Sequence, residues 1–437
     1  MGRAPGTRAV VSAAIALATA LLMLLAACDG GGAPQEQAPT ESFLELMAYV
    51  PAAREYQQVC FSNPRGFLDA TGFEDIRTVE QAIALMKSQS ILTKDLEALS
   101  PDELDKLFSV RPVSVPSLYT DYWSLHLEKT RDLLGVELFE VEDLLSTGSE
   151  YLDVVRGPFD SEAMSRTLEA QGYSREDHGG TPFYAISGDF DPTFIVDERG
   201  FETLTELGAL VIDRMNRVWL SDGTLVAAPA TQIMTDAMDA ASGRIASILD
   251  RPQYRRTAES LGPVHAACLL DPAQFSDETL LDSAAYLVAA RQLQEAGPEQ
   301  NAQETGEEWD ARLELARRGL AKNLPFQYPQ WARLDPPALL ALGYYREADG
   351  ANVFKVGLWY DDKEKAKTNA AELQKRLAQY QSESWGKPLC DEAEAHSQAW
   401  SDGSLVVVEC RGGLARQWTW ALEAADLLFL LERLPGQ

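Results

Sequence analysis

Cys60-Phe-Ser-Asn63-Pro64-Arg-Gly-Phe67 returns later in the chain as Cys268-Leu-Leu-Asp271-Pro272-Ala-Gln-Phe275. The shared pattern is Cys-x-x-[Asn/Asp]-Pro-x-x-Phe, an apolar run before a turn pair and a helical pattern after it. Two further pairs keep the same order. Val154-Val155-Arg-Gly-Pro-Phe159-Asp160 matches Val356-Gly-Leu-Trp-Tyr360-Asp361, each a strand ending in aromatic-Asp, with the Asp placed to cap a following helix. Trp219-Leu-Ser221-Asp222-Gly223-Thr224-Leu225-Val226 matches Trp400-Ser401-Asp402-Gly403-Ser404-Leu405-Val406. Asp-Gly between apolar runs is a hairpin signal, because Gly accepts positive φ and Asp tolerates it. The matches are spaced 208, 201 and 180 residues apart. Preserved order with shrinking spacing is what duplication followed by insertions in the first copy gives.

The expected fold is therefore α+β, with two related copies over residues 43–258 and 260–437. Each copy is read as a mainly antiparallel sheet with helices packed on one face. Helices are expected over 161–171 and 362–380, from near Thr231, and over 414–434, the last carrying Trp418 and Trp420. Further helices are expected over 79–87, 117–134, 283–295 and 307–320, with a polar, acidic loop over 297–308.

Ahead of the body, residues 1–27 carry Arg3 and Arg8, no acid, and an apolar run from Val10 to Ala27 broken only by Ser12 and Thr19. A charged start, an apolar middle and small residues form an export signal, expected as an N-terminal signal helix. The run ends in Leu25-Ala26-Ala27-Cys28, which resembles the lipobox of bacterial lipoproteins. The resemblance covers the export segment alone. It implies that the Cys28 thiol receives diacylglycerol and that residues 1–27 are then removed. An uncleaved helix of about 18 apolar residues would just span a bilayer. The following stretch, 29–42, argues against that, being Gly/Pro-rich, polar and without a basic stop signal. With Cys28 it reads as a tether over 28–42, about 20 Å long as a coil. The expected location is the outer face of the cell membrane, with the lipid as anchor.

The formal net charge is −29, and removal of residues 1–27 makes it two units more negative. Such a surface repels phosphate backbones and anionic headgroups, which excludes nucleic acid as a partner and leaves membrane attachment to the lipid. Besides Cys28 the chain has Cys60, Cys268, Cys390 and Cys410, an even set that in an exported protein points to disulfides. Four cysteines allow three pairings. Cys390 and Cys410 flank the second hairpin, and closing that loop contributes roughly 3 kcal/mol in a chain-entropy estimate. Cys60 and Cys268 then remain, at equivalent positions of the two copies, where a twofold axis would let them meet.

No catalytic constellation emerges. Gly-x-Ser-x-Gly, P-loop, His-Glu-x-x-His and dinucleotide motifs are missing from the sequence. His126, His178, His265 and His396 have no paired spacing, so no metal site is read from them. Asp189, Asp191, Asp197 and Glu198 lack EF-hand order, and Glu140, Glu142 and Asp143 are too ordinary in an acidic chain to mark glycoside chemistry. Trp219, Trp359 and Trp400 are expected on strands, whereas Trp309, Trp331 and Trp385 lie in polar neighbourhoods and are candidates for an exposed contact surface. No cofactor is implied beyond the diacylglycerol. The leading functional expectation is a non-catalytic binding or interaction module of the cell envelope. The alternatives are a lipoprotein capturing a small ligand in a cleft between the copies, and an extracytoplasmic hydrolase with a dispersed site. The partner is an envelope protein or a small ligand.

Overall fold

The computed structural model describes residues 40–70, 77–78, 81, 141–148, 152–190, 215–221, 223–295, 306–347, 350–381, 388, 390–412 and 427–435. Cys28, the signal segment, Trp385, Trp418, Trp420, all but Gln81 of the helix expected over 79–87, and the helix expected over 117–134 lie outside the described residues. At the centre of the fold, β1 (Gln58–Ser62) pairs with β8 (Ala266–Leu270), and Cys60 stands directly opposite Cys268. Outward from β1 come β2 (Asp143–Thr147), β3 (Asp153–Arg156), β7 (Thr224–Ala228) and β6 (Arg217–Ser221). Outward from β8 come β9 (Leu339–Arg346), β10 (Asn352–Tyr360), β12 (Ser404–Arg411) and β11 (Glu392–Ala399). A hairpin of β4 (Ser174–His178) and β5 (Thr181–Ala185) extends the first wing, completing a 12-stranded sheet. Every pairing in it is antiparallel.

The described helices are α1 (Thr40–Met47), α2 (Pro64–Ala70), α3 (Ser161–Ala170), α4 (Thr231–Ala241), α5 (Pro252–Leu261), α6 (Asp277–Glu295), α7 (Gly306–Gln327) and α8 (Lys363–Leu377). The sheet is covered on both faces, which corrects the expectation of helices on one. Leu340, Leu342 and Tyr344 of β9 pack with α6, α7 and α8 on one face, while Ala341 between them packs with α1, α4 and α5 on the other. The physical reason is visible in the strands. β9 is buried over seven consecutive residues, and a strand apolar on both sides must be covered on both.

Local signals place several elements where the sequence predicts them. Asp160 caps α3, its carboxylate accepting from Glu162 N at 3.0 Å and Ala163 N at 2.9 Å. The β6–β7 hairpin turns with Ser221 facing Thr224 and Gly223 at φ 75°. In the second wing the capping residue is Asp362 and not Asp361, accepting from Glu364 N at 2.8 Å and Lys365 N at 3.2 Å. Trp400 lies just past the end of β11, not on it. The helix expected to run to residue 434 is replaced near its end by a single 3-10 turn, Leu428–Leu430.

Two disulfides join Cys60 to Cys268 and Cys390 to Cys410. The first crosses the central strand pair and the second ties β12 to the segment before β11. Among the described residues no helix is long and apolar enough to cross a membrane.

Candidate ligand cleft

α5 decides where the cleft forms. It lies against β9 and β10, and its approach depends on two small residues beneath it. A Cβ at Gly343 would stand 3.2 Å from both Leu261 methyls, and one at Gly357 would stand 3.1 Å from the Thr257 methyl. With α5 held there, its first turn, Arg251 to Tyr254, overhangs one end of the sheet.

That overhang walls a cavity of about 530 Å³. Its lining comes from far-apart segments. Glu55 and Tyr56 precede β1, Asp271 follows β8, Ala338 precedes β9, Trp359 and Asp361 close β10, and Asp402 belongs to the β11–β12 turn. The first wing thus supplies Glu55, Tyr56 and the α5 turn, and the second supplies the rest.

The aromatic part of the lining is fixed in place. Trp359 is 2% exposed and stacks on Trp400, ring centroids 5.9 Å apart. Gly403 is required beneath it, since a side chain there would collide with the Trp359 ring. The Trp359 indole N–H donates to Asp361 at 3.4 Å. Arg256 pairs with Asp402 and lies over the Trp400 ring, 5.0 Å from its centroid. Tyr56 is 5% exposed and Tyr254 is half-buried.

The electrostatics are one-sided. Arg251 donates to the Ala52 carbonyl and sits 5.8 Å from the Tyr254 ring centroid, so it braces the wall. Burial pushes the Tyr254 phenol above its usual pKa against the pull of Arg251, and the negative charges of Asp271 and Glu55 add to the rise. Asp271 uses one carboxylate oxygen to cap the short turn after β8, accepting from Ala273 N at 2.8 Å. Among the described residues, Glu55, Asp271 and Asp361 have no cationic partner within salt-bridge distance. Nor do any three His, Cys, Asp or Glu side chains converge tightly enough to hold a metal ion.

The residues singled out from sequence fall elsewhere. Trp331, expected at an exposed surface, is 3% exposed, because Tyr328 stacks on one side and the Arg376 guanidinium lies 4.8 Å from its ring centroid. Trp309 is half-buried, edge-on to Tyr286 at 5.5 Å. His178 ends β4 and hydrogen-bonds Asp239 at 2.8 Å. Asp189 ties Arg217 to the start of α4, accepting from Arg217 at 2.7 Å and from Thr231 N at 2.8 Å. Asp143 is buried against Arg156 and Asn63, with burial raising its carboxyl above the usual range. Of the cleft residues, Trp359 and Asp361 lie in the quoted strand motif, Asp271 in the Cys-x-x-[Asn/Asp]-Pro repeat and Asp402 in the Asp-Gly turn. Glu55, Tyr56, Arg251 and Tyr254 carried no sequence signal, since only the tertiary fold brings them together.

In comparisons with protein-family models, curated proteins and solved structures, nothing matches the chain.

Proposed function

We propose that the protein is an exported lipoprotein, held by diacylglycerol on Cys28 at the outer face of the cell membrane, whose body captures a small ligand in this cleft. The body descends from a duplication, and the cleft lies between its two halves. Support for the duplication comes from the sheet order, which runs through corresponding strands in both directions from the Cys60–Cys268 pair. The observation that carries the ligand-capture reading is the cavity itself, concave, mainly polar with three aromatic residues, and lined from both wings. A concave site also favours ligand capture over docking on a flat acidic face.

A thermal-shift screen of amines, sugars and short peptides tests this reading, run in parallel on the native chain and on Ala338→Trp, which fills the cavity. A ligand at 100 times its Kd stabilises by about 2.7 kcal/mol, and that gain should vanish in the filled variant. Equal responses from both proteins to every compound would reject the cleft as the binding site. For the anchor, mass spectrometry of the N-terminal peptide should find Cys28 as the first residue, carrying diacylglycerol. An unmodified Cys28 in the membrane-bound protein would reject lipidation there.

A further inference from the structure

We propose that the cleft takes an organic cation bearing two or more separated amine or guanidinium groups. This rests on the reading of the cavity as a ligand site and names the class of ligand. The cavity, at about 530 Å³, has the size of a small organic molecule. Of the three aromatic residues in the lining, Tyr56 and Trp359 are buried and stiffen the wall, while half-buried Tyr254 offers a ring that suits an alkyl chain and attracts positive charge. The carboxylates then set the sign. Glu55, Asp271 and Asp361 face the space without a cationic partner among the described residues, while the neighbouring Arg256 is already committed to Asp402.

The spacing of these acids selects further. A divalent metal ion needs several oxygens converging on one point, and no such convergence exists among the described residues. Carboxylates spread around a cavity match charges spread along a molecule. Arg251 places positive charge on the wall that also carries Glu55, so Asp361, on the other wing, draws the second cationic group away from it. The protein's net charge of −29 draws such a ligand toward the body from a distance.

Isothermal titration of the full-length protein in detergent with spermidine, at about 0.15 M salt to screen diffuse attraction, tests the assignment. One spermidine per chain is expected. Glu55→Gln with Asp361→Asn should weaken binding roughly tenfold or more, whereas Glu169→Gln with Glu176→Gln, two exposed acids on α3 and β4, should leave it unchanged. Equal weakening by both double variants would mean diffuse attraction and overturn the proposal. So would loss of stoichiometric binding in the native chain. Glucose and trialanine amide, the latter with a capped N-terminus, are titrated alongside. If either neutral probe binds the native chain and not Ala338→Trp, the cleft captures ligands but the cationic class is wrong. If no probe distinguishes native from filled protein, the capture reading falls with it.

Discussion

Arg376 shows how much a single buried charge organises here. It is 1% exposed, accompanied by Glu372, and its guanidinium donates to the carbonyls of Ala332, Phe429 and Leu431. Burial lowers its pKa from the usual arginine value, and the Glu372 carboxylate opposes that. Arg376→Met would strand three carbonyls and remove the buried cation beside Glu372, which keeps Ala332 N and Lys375 as partners, and should cost about 3–5 kcal/mol in chemical denaturation. A loss below about 1 kcal/mol would contradict the role given to it. His265 makes a pH prediction. Full burial lowers its pKa from 6.5 to about 4. The unfolded chain therefore binds a proton between pH 6.5 and 4 that the folded chain does not, and stability falls as pH drops through that window. The loss amounts to roughly 3 kcal/mol by linkage. Melting curves of His265→Leu should be flatter than those of the native chain across that range. At this scale the sequence was partly legible. Asp160 announces itself as a cap by its place between strand and helix, whereas Asp361 and Asp362 are adjacent acids, and only backbone geometry decides which one caps and which one reaches the cleft.

At the scale of elements, strand and helix patterns were readable where periodicity was strong. α3, α4, α6, α7 and α8 lie near their expected positions. The β4–β5 hairpin was not foreseen, because Ser-Arg-Glu-Asp-His has neither apolar alternation nor β-branched residues, and such a strand forms only by pairing at a sheet edge. The opposite edge, β11, carries its own protection. The Gln374 side chain of α8 donates to Ala393 O at 2.7 Å and accepts from Ala395 N, bonding the edge as a neighbouring strand would. Gln374→Leu should uncover those groups and raise self-association, measurable by analytical ultracentrifugation against the native chain. Unchanged sedimentation would show that the edge is protected by other means.

Over the whole molecule, the Cys60–Cys268 bond links residues 208 apart across the central strand pair. Closing so long a loop should contribute about 5 kcal/mol in the chain-entropy estimate, so the Cys60→Ala, Cys268→Ala double variant should melt well below the native chain. It should lose more than the double variant of Cys390 and Cys410, whose separation is 20 residues. The repeated motifs made the pairing of these cysteines readable, because the two matching positions stand opposite each other in the central strand pair. One continuous sheet covered on both faces was less readable, since short apolar runs do not say which side of a strand a distant helix will cover. The cleft was the least readable feature of all, being assembled from six separated segments. The central claim is that this junction cleft holds a cationic ligand, and a crystal structure of the protein with spermidine tests it most directly. The prediction is spermidine within hydrogen-bond reach of Glu55 and Asp361, beside Tyr254 and Trp359. An empty cleft, with spermidine bound elsewhere on the acidic surface, would contradict it.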